Sequence, residues 1–81
     1  VGGVVFHENE VLLVQRGKPP ADRVWTLPGG MVELGEGVGD ALRRELREEC
    51  HLDVVPRVVL GVFEPIVRDA DGKVRYHYVV V

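Results

Sequence analysis

Cysteine is almost missing: Cys50 stands alone in 81 residues, so no disulfide can close within the chain. A single thiol fits a reducing compartment, and the cytoplasm is the expected location. No apolar run approaches the length of a membrane span, so no membrane partner is expected. No secretory signal segment, internal repeat or low-complexity tract is visible. Basic charge is not in excess: 10 Lys and Arg face 13 Asp and Glu, for a net charge of −3. That balance speaks against a nucleic-acid partner. Nor is there a Met at the start, and the chain stops inside an apolar run, residues 76–81, with no turn signal after it. A strand ending there would be a bare sheet edge, so both ends read as cut and residues 1–81 as one incomplete domain.

Alternating strand and helix signals are present. Residues 1–6 are β-branched and small and read as a strand. A polar turn, residues 7–10, leads to a second strand over residues 11–15, which suggests a hairpin. Residues 16–23 hold Gly, Lys, two Pro and Asp and read as a loop. A short strand over residues 25–27 stops at Pro28-Gly29-Gly30, a turn whose glycines let the backbone approach closely. Residues 38–50 form the expected helix, with Asp40 at the positive end of its dipole. Residues 54–67 read as extended, broken at Pro56 and bent at Pro65. Asp71-Gly72 centres a hairpin turn before a last strand over residues 74–81. The expected class is α/β, with strands on both sides of one helix.

The helix carries its acids in an unusual place. At about 100° per residue, Ala41, Val38, Leu42 and Leu46 form one apolar arc from about 0° to about 140°. Glu45, near about 40°, and Glu49, near about 80°, fall inside it, with Glu48 just beside it. Arg43 and Arg47 point the other way. An acid-rich helix is ordinarily a solvated face with Arg partners. Carboxylates inside an apolar arc must instead be paired, neutralised or bound to cations. Hard oxygen donors in a cluster suit Mg²⁺, with Mn²⁺ as substitute. Cys50, at the edge of the arc, reads as a packing residue at the helix end, since no His is placed to make it a nucleophile.

Residues 30–52 also resemble the Nudix box: Gly, five residues, Glu, seven residues, Arg-Glu, an apolar residue, any residue, Glu-Glu, any residue, Gly, an apolar residue. Gly30, Glu36, Arg44, Glu45, Leu46, Glu48, Glu49 and Leu52 fill their places, and His51 alone departs, standing where the family has Gly. A left-handed cap follows the helix there, and His enters that region more readily than most residues.

The resemblance implies the Nudix-type α/β/α sandwich with a mixed sheet, in which further strands and a second helix follow. It implies a hydrolase that uses Mg²⁺ to split a pyrophosphate bond in a nucleoside diphosphate linked to another moiety. Glu45, Glu48, Glu49 and Arg44 are then the catalytic group. Glu45, Glu48 and Glu49, with a backbone carbonyl at Gly29 or Gly30, hold the metal. Glu36 pairs with Arg44 and orients the acids, and Gly29 shapes the loop beside them. A surface ion pair is the plainer reading of Glu36 and Arg44. Arg16 and Lys18 are candidates for phosphate contact or for simple loop solvation. Trp25 either stacks on a base or packs into the core. His7 and His77 have no ligand spacing. Residues 63–65 and 68–78 resemble the small ADP-ribose pyrophosphatases. Hydrolysis of oxidised nucleoside triphosphates and a non-catalytic nucleotide-sugar sensor are the alternatives. Members of the family often dimerise.

Overall fold

A computed structural model describes residues 1–17 and 23–81 of the chain. Antiparallel strand pairs and a helix compose it, which makes the chain α/β. Strand β1 (Phe6–His7) turns back on β2 (Glu10–Val11), with Phe6 opposite Val11. Strand β3 (Val14–Gln15) pairs with β4 (Trp25–Thr26). Helix α1 spans Val38–Cys50, and β5 (Ile66–Arg68) pairs with β6 (Val74–His77).

The expected first hairpin forms: Phe6 faces Val11, His7 faces Glu10, and Leu12 N–H donates to the Val5 carbonyl at 3.0 Å. Its second arm runs on into β3, which meets β4. Gly3 N–H donates to the Pro28 carbonyl at 2.8 Å, and Gly30 N–H to the Val1 carbonyl at 3.0 Å. On its other side Gly2 N–H donates to the Val81 carbonyl at 3.0 Å. Phe63 and Val80 exchange backbone hydrogen bonds of 2.9 and 2.8 Å and continue the last hairpin toward this ladder. Residues 1–3 therefore run between the Pro28-Gly29-Gly30 turn and the chain's last residues. The three strand pairs and the Gly2–Gly29 and Phe63–Val80 bridges are antiparallel.

Helix α1 lies on this ladder. Ala41 and Leu46 are fully buried, as the apolar arc requires. Val38 stays 41% exposed, so the buried stripe is narrower than the arc. Gly3 runs so close beneath the helix that a Cβ on it would stand 2.7 Å from the Leu42 side chain. The helix ends on His51, at φ 55° and ψ 34°, whose N–H donates to the Arg47 carbonyl at 3.2 Å. That is the left-handed cap usually given to glycine. Arg47 closes over it with two bonds to Asp53 Oδ1, at 3.0 Å from Nε and 2.7 Å from Nη2.

Residues 54–62, apolar and β-branched, form no strand pair; Val55 is 81% and Leu60 72% exposed. The turn at residues 69–73 forms as expected. Asp69 Oδ1 accepts from Asp71 N–H and Lys73 N–H, both at 3.0 Å, and Gly72 takes φ 81°. Among the described residues no helix is long and apolar enough to cross a membrane.

Candidate metal site on helix α1

Glu45 projects from the helix toward the Pro28-Gly29-Gly30 turn. A Cβ on Gly30 would fall 2.5 and 2.6 Å from the two Glu45 carboxylate oxygens, so any larger residue there would make that carboxylate shift. The Glu45 side chain is 14% exposed and Glu48 60%, as their wheel positions imply. Glu49 lies one turn after Glu45 and on the same side, so the two carboxylates are neighbours. Glu49 is nevertheless exposed as a residue, and not enclosed as its place in the arc suggested. Partial loss of solvent and the Glu45 carboxylate push its pKa above the ordinary value, while the Gly29 N–H pulls the other way.

Arg44 ties the acids to the loop. Its Nε donates to Glu36 Oε2 at 2.8 Å and its Nη2 to Glu36 Oε1 at 3.0 Å, a two-pronged grip. Nη2 also donates to the Met31 carbonyl at 2.9 Å. Nη1 donates to Glu45 Oε1 at 2.9 Å and to Glu48 Oε2 at 3.4 Å. Hydrogen bonds from Arg44 and from the Glu33 N–H hold the Glu36 carboxyl below its usual pKa. Those to Glu36 and Glu45 raise that of the guanidinium. The Glu36–Arg44 contact is thus a half-buried two-bond clamp, more than a loose surface pair.

The three acids do not form one cage. Among the described residues no group of three acids, His or Cys is arranged to hold a metal. Arg44 bonds one oxygen of Glu45 at 2.9 Å and one of Glu48 at 3.4 Å. Neighbouring hard oxygens on Glu45 and Glu49 beside a glycine turn still fit an oxygen-seeking divalent ion. The backbone nitrogen of Val1 lies 2.8 Å from the Gly30 carbonyl oxygen.

The candidate substrate residues lie apart. Trp25 is 61% exposed, which overturns core packing. It lines a cleft of about 470 Å³ with Val5, Val11, Leu12, Leu13 and Leu52, none of them an acid of the helix. Arg16 is exposed where β3 ends, its N–H bonded to the Val24 carbonyl at 2.9 Å. Lys18 lies outside the described residues. His77 pairs with Glu64 at 3.2 Å, a strand contact. Cys50 is half-buried, and burial and Glu49 raise its pKa, which does not favour a nucleophile. Two contacts escaped sequence reasoning: the hold of Arg44 on Glu45, and the Met31 carbonyl on Arg44. Helix spacing predicts neither; the i, i+4 rule points only to the contact of Arg44 with Glu48.

The family model described as NUDIX domain matches residues 1–81. The chain is 39% identical over 74 residues to an ADP-ribose pyrophosphatase of Methanocaldococcus jannaschii, covering 91% of this chain and 44% of that protein. It is 43% identical over 65 residues to the 8-oxo-dGDP phosphatase NUDT18 of Danio rerio, covering 79% of this chain and 20% of that one. With the low-salt glycan biosynthesis protein Agl8 of Haloferax volcanii it shares 40% identity over 77 residues, 93% of this chain and 49% of that protein. The chain thus spans less than half the length of each of these relatives. No solved structure matches it.

Proposed function

The chain belongs to the Nudix family, and from that footing we propose that it hydrolyses the pyrophosphate bond of a nucleoside diphosphate joined to another group, with ADP-ribose favoured, using Mg²⁺. In this reading residues 1–81 supply the metal-binding part of a Nudix α/β/α sandwich that works on a soluble nucleotide in the cytoplasm. One observation carries it: Glu45 and Glu49 sit side by side against the Gly29-Gly30 turn. Two neighbouring carboxylates so placed suit a shared divalent cation.

When bound, divalent ions would offset the charge of the pyrophosphate and lower the pKa of the attacking water. Glu45 and Glu49 would hold them, with Glu48 the outer ligand on the exposed side. Arg44, fixed by Glu36, ties the loop before the helix to the turn of α1 that carries the acids. One carboxylate of the three accepts the proton of the attacking water. The water oxygen bonds to one phosphorus, and the bridging oxygen leaves with the other. ADP-ribose would give AMP and ribose 5-phosphate. Arg16 and Lys18 are the candidates to meet phosphate, and Trp25 to meet a ring.

The likeness to the Methanocaldococcus jannaschii ADP-ribose pyrophosphatase supports this substrate. The likeness to an 8-oxo-dGDP phosphatase supports a second reading, hydrolysis of oxidised nucleoside di- or triphosphates. The test is phosphate release from ADP-ribose by the full-length protein with Mg²⁺, coupled to a phosphatase that acts on AMP and ribose 5-phosphate but not on ADP-ribose. Release from 8-oxo-dGDP or 8-oxo-dGTP alone would favour the second reading. Binding of a nucleotide sugar without turnover of any substrate would point to a sensor.

A further inference from the structure

We propose that Arg44 is the resident counter-cation of the acid cluster, and that it gives up Glu45 and Glu48 while keeping Glu36 when a divalent ion loads. The inference rests on the metal-dependent reading above and adds an exchange to it. A guanidinium has five N–H donors in a fixed plane. Three of them, on Nε and Nη2, are taken by Glu36 and the Met31 carbonyl at 2.8 to 3.0 Å. These anchors belong to the loop before the helix. The two on Nη1 face three carboxylates: Glu45 at 2.9 Å, Glu48 at 3.4 Å and Glu33 at 3.6 Å. One edge is saturated and short. The other is oversubscribed and lengthens from partner to partner.

The two edges therefore have different work. The anchored edge holds the plane of Arg44 whether or not Glu45 is bonded to it. The helix edge supplies positive charge to acids that would otherwise repel one another, and it touches Glu45 on the carboxylate that also borders Gly30 and Glu49. Arg44 cannot discharge by losing a proton. Its charge therefore stays beside Glu45 and Glu48, and a divalent ion competes with it for their oxygens. A small side-chain rotation of each acid suffices, with Arg44 left in place. A residue that only orients the acids would keep both edges intact on loading.

Low-temperature NMR of the full-length protein, with arginine side chains labelled with ¹⁵N, separates these roles. Mg²⁺ is the probe, and the Glu45 and Glu49 carboxyl carbons report its binding. The expected result is loss of the protected Arg44 Hη1 signal on Mg²⁺ saturation, while Arg44 Hε holds its position. If the carboxyl carbons move but Hη1 stays, the exchange is wrong and the metal-site reading survives. If Hε is lost as well, Glu36 does not anchor Arg44 and the exchange is again wrong. If Mg²⁺ moves neither carboxyl carbon, the metal-site reading falls and the exchange falls with it.

Discussion

Arg44 grips Glu36 across eight residues by two parallel bonds, Nε to Oε2 at 2.8 Å and Nη2 to Oε1 at 3.0 Å. The pair joins the loop at residues 31–36 to the second turn of α1, where the acids begin. Replacing Arg44 by Ala should lower turnover roughly 10- to 100-fold, the range for residues that orient ligands. Arg44→Lys should recover little, because a point charge cannot make the fork. Steady-state rates of both variants at saturating Mg²⁺ check this. Equal activity of Lys and Arg would reduce the clamp to a matter of charge.

Glu49→Gln should abolish most of the activity and leave the fold in place. Its carboxylate is pressed against that of Glu45, so removing the charge relieves repulsion. Stability without metal should hold or rise, by at most about 1 kcal/mol for a group this open to solvent. Urea melts beside the rate assay test both halves. A clear fall in the melting midpoint would show that Glu49 supports the fold.

The acids also set a pH dependence. Glu49 has a raised pKa in the folded protein, so its contribution to stability is present at low pH and is lost as pH rises through the folded value. Glu36 runs the other way: its depressed pKa gives stability above the usual carboxyl range, lost as pH falls through the folded value. Mg²⁺ must displace the proton of Glu49, so its affinity should fall on acidification before an ordinary Glu would titrate. Calorimetric titration at neutral and mildly acidic pH measures it. An affinity that holds until the ordinary carboxyl range would remove Glu49 from the ligand set.

Gly30→Ala should displace the Glu45 carboxylate, because the new methyl would overlap both of its oxygens. The flexible end of Glu45 can rotate away, so stability should change little, by under about 1 kcal/mol, while Mg²⁺ affinity should fall. Melts with and without Mg²⁺ separate the two effects. Unchanged Mg²⁺ affinity would mean that Glu45 need not lie against the turn.

Much of the site was legible in the sequence, and less of the fold. The helix occupies residues 38–50 as read, because period, arc and cap signals agree over thirteen residues. His51 adopts the left-handed cap expected in place of Gly. The turn at Asp71-Gly72 follows from local side-chain chemistry, which Asp69 completes. The first and last hairpins follow from their turns, but the longer-range partners follow from no local rule: Val14 and Gln15 meet Thr26 and Trp25, and Gly2 faces Gly29. Alternation tells a strand which face is apolar and not which neighbour it meets. Residues 54–62 show the same limit, with β-branched composition and no ladder among the described residues. At the site, the wheel put three acids together but could not show that Arg44 reaches back over Glu45.

The central claim is that Glu45 and Glu49 hold the metal, and Mn²⁺ titration of the full-length protein tests it most directly. The paramagnetic ion broadens carboxyl signals near its site. Glu45 and Glu49 should broaden first, and excess Mg²⁺ should restore them. Broadening confined to other acids, such as Asp69 and Asp71 of the last hairpin turn, would contradict the account.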